Sequence, residues 1–284
     1  MLAAVNTIMN RREWAMLVTL SVLWGGSFFF AEIALESLPP LTIVTLRVGL
    51  AAITLWLVVL ALKLPIPNSP PIWIAFLTMG LLNNVLPFSL IVWGQSQISS
   101  GLAAILNATA PLFGVIVAGI LLRDESATPL KITGVVIGFA GVIVMMDLSS
   151  IATSSLLAQL AILAAALSYA CASVYGRRFK ATGLNPILVA AGQVTGSTLL
   201  LLPIALWVDG NDHYANVPTQ VWAAIISLAV FSTAAAYILY FKLLASAGAT
   251  NILLVTLLVP VSAILLGWLF LGESLQTPHI FGMA

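Results

Sequence analysis

The chain has 284 residues, of which 61% are hydrophobic and only 7% charged, with a formal net charge of +1. A water-facing domain carries roughly 25% charged residues, so this composition excludes a soluble globular protein, and the near-zero charge gives a nucleic-acid partner nothing to bind. The single cysteine, Cys171, excludes an intrachain disulfide and a cysteine-based metal cage.

Mean hydropathy is +1.14, and the apolar residues fall into runs of about 20, the length of a helix crossing a bilayer. Span one covers 14–34 and carries Trp24, Ser27, Phe28 and Glu32 behind Arg11 and Arg12. It is too long for the apolar core of a signal peptide. Span two, 40–62, opens after Pro39-Pro40 and carries Arg47. Span three, 72–94, centres on Asn83-Asn84 with Pro87 and Phe88 one turn on. Span four, 101–121, contains Pro111, and span five covers 130–147. Span six, 155–176, has Ser168-Tyr169 at its middle, and span seven is 186–207. Span eight, 220–242, centres on Phe231-Ser232-Thr233 with Tyr237 beyond. Span nine, 249–271, contains Pro260.

The same landmarks recur at one offset, 222 − 73 = 149, from Trp73 and Trp222 to Pro129 and Pro278. Pro111 answers Pro260, and Asn83 and Asn84 answer Ser232 and Thr233. The chain therefore reads as two five-helix repeats, 1–149 and 150–284. Pro129 opens span five, so Pro278 is expected to open a tenth span that is cut short at Ala284, roughly a dozen residues before its end.

Charge sets the orientation. With the N-terminus in the cytoplasm, nine of the ten basic residues lie on that side: Arg11, Arg12, Lys63, Arg123, Lys131, Arg177, Arg178, Lys180 and Lys242. Glu36, Asp147, Asp209, Asp212 and Glu273 fall outside. Five spans per repeat is an odd number, so the second repeat enters from the opposite side. The expected fold is an all-α membrane protein of ten transmembrane helices, the tenth truncated, as two inverted repeats with the N-terminus cytoplasmic.

An ordered set of short motifs carries a family resemblance. These are Leu23-Trp24-Gly25-Gly26-Ser27, Leu46-Arg47, Pro111-Leu112-Phe113, Gly138-Phe139-Ala140-Gly141-Val142, Pro260-Val261 and Leu271-Gly272-Glu273. Together with the duplication they resemble the EamA-type exporters of the drug/metabolite transporter superfamily, over essentially the whole chain. The resemblance implies ten helices, both native termini cytoplasmic, and export of small metabolites from a bacterial cytoplasm across the inner membrane. The bacterial aromatic amino-acid exporters are the nearest likeness.

Polar groups in hydrocarbon need a cavity or a partner. The recurrence of Asn83, Asn84, Ser232 and Thr233 at one depth fits a shared substrate site between repeats, or else interhelical hydrogen bonds. Trp24, Phe28, Phe88, Tyr169 and Tyr237 supply rings there, either to stack on a substrate or to pack on a neighbour. Arg47, the basic residue inside a span, reads as a gate or carboxylate site, or as an ion pair with Glu32 pinning helices one and two. Pro111 and Pro260 are candidate hinges or tolerated kinks. Trp14, Trp73, Trp93, Trp207 and Trp222 lie near span ends, where aromatic belts sit. Gly192 and Gly196 form a small-residue face for packing within the bundle, and a monomer is expected.

No histidine and no central carboxylate falls within a span, and no phosphate-binding loop is present. The expectation is therefore a non-enzymatic secondary exporter of small amphipathic metabolites, such as aromatic or hydrophobic amino acids. It needs no metal and no cofactor, and its partners are a small-molecule substrate and the lipid bilayer. The alternative is a drug or other metabolite facilitator, or a channel, of the same superfamily.

Overall fold

The structure is a computed structural model that describes residues 9–98, 100–122, 128–144, 155–210, 214, 216–270 and 281. Among the described residues it is helical throughout, without a strand. In chain order the helices are α1 (Arg11–Leu35), α2 (Pro40–Ala61), α3 (Pro70–Gly80), α4 (Leu86–Gln95), α5 (Ser100–Asn107), α6 (Ala110–Leu121) and α7 (Pro129–Val144). Then come α8 (Leu156–Gly176), the short α9 (Arg178–Thr182), α10 (Pro186–Val208), α11 (Thr219–Ala229), α12 (Ala236–Leu253) and α13 (Val255–Phe270). Among the described residues, seven spans are long and apolar enough to cross a membrane, and Ile132–Gly141 and Val255–Leu266 are shorter apolar helices. The fold is that of a multi-span all-α membrane protein. Apart from Phe281, the expected tenth span lies outside the described residues.

The surface is inverted relative to a soluble protein. Large apolar side chains point outwards, with Trp207 86% and Ile120 76% exposed, while Arg47, Asn83, Asn84, Gln193, Ser232 and Thr233 are buried. Lipid tolerates the first group, and only the bundle interior satisfies the second.

Local sequence sets the helix starts. Asn10 and Glu13 form a reciprocal capping box on α1. Asn185 caps α10, with Pro186 preset for its first turn. The cap of α2 comes from elsewhere. Pro39 offers no side-chain bond, and Asp209, at the end of α10, accepts from Thr42 N at 2.7 Å and Thr42 Oγ1 at 2.8 Å. A carboxylate there also opposes the positive end of the helix dipole.

Packing follows an exchange rule. α2 and α10, equivalent helices of the two halves, make the most extensive contact. α1 packs on α13 as α8 packs on α6. α4 packs on α8 as α1 packs on α11 and α12. α3 packs on α10 as α11 packs on α2. Small residues permit the closest approach. A Cβ at Gly196 would stand 2.9 Å from Leu77 Cα, and one at Gly80 would stand 2.6 Å from the Gln193 carbonyl. The Gly192 and Gly196 face is thus spent inside the bundle, on Phe76 and Leu77 of α3.

Two features were not visible in the hydropathy. α3 and α4 are joined by a π turn at Leu81–Val85, and α11 and α12 by one at Val230–Ala235. Their first residues are 149 apart (230 − 81). The end of span eight also differs from expectation. Helical residues continue to Ala247, and the chain reverses at Gly248 with φ 89° and ψ 176°. That backbone region is open essentially to glycine alone.

Candidate functional site

A cavity opens between the halves where α1, α2, α4, α8, α12 and α13 converge. It holds about 680 Å³ of empty space, the open space at its mouth included. Trp24, Phe28, Phe88, Tyr169 and Tyr240 supply aromatic surface, and Ile91, Val92, Val255 and Val259 supply aliphatic surface. Polar groups are few: Ser27, Arg47, Asn83, Gln95, Asn107 and Thr256. An apolar wall with sparse polar groups orients an amphipathic ligand.

Arg47 reaches across from α2. Its Nε donates to Thr233 Oγ1 at 2.8 Å, its Nη2 donates to the Ser232 carbonyl at 3.3 Å, and its guanidinium lies 3.8 Å over the Phe88 ring. The π turn explains why a backbone carbonyl is available to Arg47, because a widened turn leaves an acceptor without its usual i+4 donor. The expected Glu32–Arg47 ion pair is not formed. Glu32 is exposed on α1, whereas Arg47 is turned into the bundle towards the second π turn. The acceptors to which Arg47 is committed, Thr233 Oγ1 and the Ser232 carbonyl, belong to the second π turn.

Of the sequence-stated site residues, Trp24, Phe28, Arg47, Asn83, Phe88 and Tyr169 line the cavity. Asn84, Ser232, Thr233 and Tyr237 do not; they stand behind its wall as supports. Thr233 Oγ1 donates to the Leu228 carbonyl at 2.7 Å, and Ser232 Oγ donates to the Leu23 carbonyl at 2.8 Å, tying the second π turn to α1. Ser168 Oγ ties the first π turn to α8 through the Leu82 carbonyl at 2.7 Å. Asn83 Nδ2 donates to Gln193 Oε1 at 3.3 Å.

Tyr237 hydroxyl lies 3.2 Å from both the Asn83 carbonyl and Asn84 Oδ1. One hydroxyl proton serves one acceptor. With the Asn84 amide turned end for end, Nδ2 donates to the phenol and the phenol donates to Asn83, which also gives the otherwise unpartnered Nδ2 a bond.

Asn107 and Thr256 went unremarked in the sequence, although a signal existed. They are 149 apart (256 − 107), and each stands four residues before a paired proline, Pro111 or Pro260. Proline removes the donor to the i−4 carbonyl and crowds it. α5 accordingly ends at Asn107, and a turn at 108–109 leads into α6 with Pro111 in its first turn. In the second half the break falls at Leu254, and Pro260 sits inside α13. The discontinuities therefore precede the prolines rather than fall on them.

On one flank of the cavity the rings run on as a continuous stack. Trp24 meets Tyr240 at 5.9 Å between centroids, Tyr240 meets Phe241 at 5.1 Å, Phe241 meets Phe179 at 6.3 Å and Phe179 meets Phe76 at 5.5 Å. Trp73 joins the stack on Phe76 and on Trp56, so it is a packing residue as well as a span-end residue.

The profile of the EamA-like transporter family matches residues 12–147 and again 156–284. The chain is 23% identical over 269 residues to the uncharacterized transporter YoaV of Bacillus subtilis (strain 168), covering 94% of this chain and 91% of that one. It is 28% identical over 279 residues to an S-adenosylmethionine/S-adenosylhomocysteine transporter of Chlamydia trachomatis, covering 92% and 82%. It is 29% identical over 266 residues to the uncharacterized inner membrane transporter YedA of Escherichia coli (strain K12), covering 92% and 83%. A solved crystal structure shares the fold with a TM-score of 0.75 at 17% identity, covering 97% of this chain and 93% of that one.

Proposed function

The chain belongs to the EamA-like transporter family, and from that premise we propose that it exports small amphipathic metabolites, aromatic or hydrophobic amino acids foremost, by alternating access across a bacterial inner membrane. The observation that carries this reading is the cavity between the halves. Its rings, Trp24, Phe28, Tyr169 and Tyr240, match a flat apolar body, and its few polar groups match a small polar end. The two halves are inverted repeats, 1–149 and 150–284, with the N-terminus in the cytoplasm as the basic residues direct. The working unit is the monomer, since the cavity is bounded by one chain. A relative's named substrate, S-adenosylmethionine, is itself an amino acid bearing a planar base, which agrees with a site of this kind.

Transport and not catalysis is the role, and a gradient of substrate or of an ion supplies the energy. The test is flux into proteoliposomes of the purified chain. A carrier gives saturable uptake and counterflow of a preloaded amino acid. Non-saturating, voltage-driven flux would identify a channel and overturn the reading.

A further inference from the structure

Arg47 is 5% exposed, and the cavity wall contains no aspartate or glutamate. The ionisable groups that face it are the phenols of Tyr169 and Tyr237. A buried cation without a counter-charge is costly, and natural proteins pair such charges. Nothing in the described part of the chain does so here.

The way Arg47 is held is informative. A guanidinium presents two hydrogen-bonding edges, one through Nε and Nη2 and one through Nη1 and Nη2. Thr233 and the Ser232 carbonyl occupy the first edge, and Phe88 covers a face. The second edge makes no hydrogen bond among the described residues, and Nη1 is not among the polar atoms sealed away without a partner. It is the end-on fork, whose two parallel N–H groups match the two oxygens of a carboxylate. Resting on the cavity being the transport site, we infer that the free fork of Arg47 is the anchor for a carboxylate of the substrate, and that the transported molecules are carboxylic acids which complete the charge of the site.

A carboxylate fits better than a phosphate. One guanidinium balances one negative charge, and the wall holds no second cation for a dianion. An ammonium group is tolerated against the ring faces of Trp24, Tyr169 and Tyr240, but it neutralises nothing. The site therefore ranks free acids above their esters and amines.

The test is thermal stabilisation of the purified full chain in detergent by the twenty L-amino acids and their methyl esters, with 3-phenylpropionate, phenethylamine and inorganic phosphate beside them. Free acids, including 3-phenylpropionate, should stabilise it; the matched esters, the amine and phosphate should not. Equal stabilisation by acid and ester overturns the proposal, as does stabilisation by phosphate alone or by no acid at all. These arms use the natural chain, so they decide the matter even where a variant fails to fold.

Arg47→Gln should raise the half-saturating acid concentration roughly ten- to a hundredfold, the worth of a charged hydrogen bond, and erase the acid-over-ester ranking. Thr233→Val removes the tether but leaves the charge, and should keep the ranking. A purely structural arginine would weaken acid and ester alike in both variants. Binding that ignores Arg47→Gln yet falls with Trp24→Ala would remove the anchor and leave the cavity reading intact. Binding that falls with Arg47→Gln and ignores Trp24→Ala would keep the anchor and overturn the aromatic match on which the proposed substrate class rests.

Discussion

Asn83 and Ser232 stand 149 positions apart (232 − 83), and their backbone carbonyls play one part. Each lies in a π turn, and each is capped by a side chain, the Tyr237 hydroxyl at 3.2 Å and Arg47 Nη2 at 3.3 Å. The means differ because the halves differ. The position answering Arg47 is Gly196 (47 + 149), which is packed against the α3 backbone, so the first π turn is capped by a tyrosine from α12 instead. One pseudo-symmetric frame thus carries a single charge.

Tyr237→Phe tests the support role of that phenol. It leaves the Asn83 carbonyl and the Asn84 amide buried without their bond, which costs about 1–3 kcal/mol. Thermal unfolding in detergent should show the loss, while the order of preference among ligands stays as in the natural chain. A changed order would place Tyr237 in the wall.

Trp24→Ala acts on the wall itself. The ring contacts Tyr237 and Tyr240 and faces the cavity, and aromatic contacts are worth about 0.5–1.5 kcal/mol beyond burial. Half-saturation of counterflow should rise roughly three- to tenfold, most for aromatic substrates and least for aliphatic ones.

Gly196→Val tests the closeness of α3 and α10. Its Cβ would already press on Leu77 Cα at 2.9 Å, and backbone on backbone cannot yield as a side chain can. Overpacking of this kind costs about 1–3 kcal/mol. Gly134→Val is the control, since nothing lies within 4 Å of a Cβ there, and its unfolding temperature should stay put.

Asp209→Ala removes the borrowed cap of α2. Loss of a capping oxygen costs about 0.5–2 kcal/mol, and the effect should shrink in high salt as the dipole contribution is screened. Equal unfolding temperatures for variant and natural chain would show that Thr42 finds another acceptor.

The spans were legible because lipid imposes a simple rule: runs of about 20 apolar residues, broken by Pro, Gly and Asn. The cavity was half legible. Trp24, Phe28, Asn83, Phe88, Tyr169 and Arg47 stand out as rings or polar groups in mid-span, and all line it. Which of two adjacent polar residues faces inwards was not legible, because a π turn shifts the facing of everything after it without altering composition. Asn84, Ser232, Thr233 and Tyr237 were therefore grouped with residues they support. Tyr240 carries no mid-span signal, since it lies two residues from Lys242 at a span end. Gln95 is equally silent at the end of span three, where its Nε2 donates to the Phe28 carbonyl at 3.2 Å. The Arg47–Glu32 pair does not form because a π turn presents the guanidinium with a carbonyl and a hydroxyl that no charge pattern in the sequence reveals.

Gly248→Ala should destabilise the chain by about 1–3 kcal/mol, the cost of a non-glycine residue in that backbone region, and should slow counterflow. Unchanged rates with lowered stability would confine the glycine to folding.

The reason to expect slower counterflow lies in the shortness of that reversal. Helix precedes Gly248 through Ala247 and resumes at Ala249, both buried, so there is no slack loop between Tyr240 on one side and Thr256 on the other. At this end of the bundle the relative tilt of two cavity walls is written at two residues, Gly248 and Leu254, where the helix breaks. Such a linkage has few degrees of freedom, so a small rotation at Gly248 is carried through residues 249–253 towards Val259.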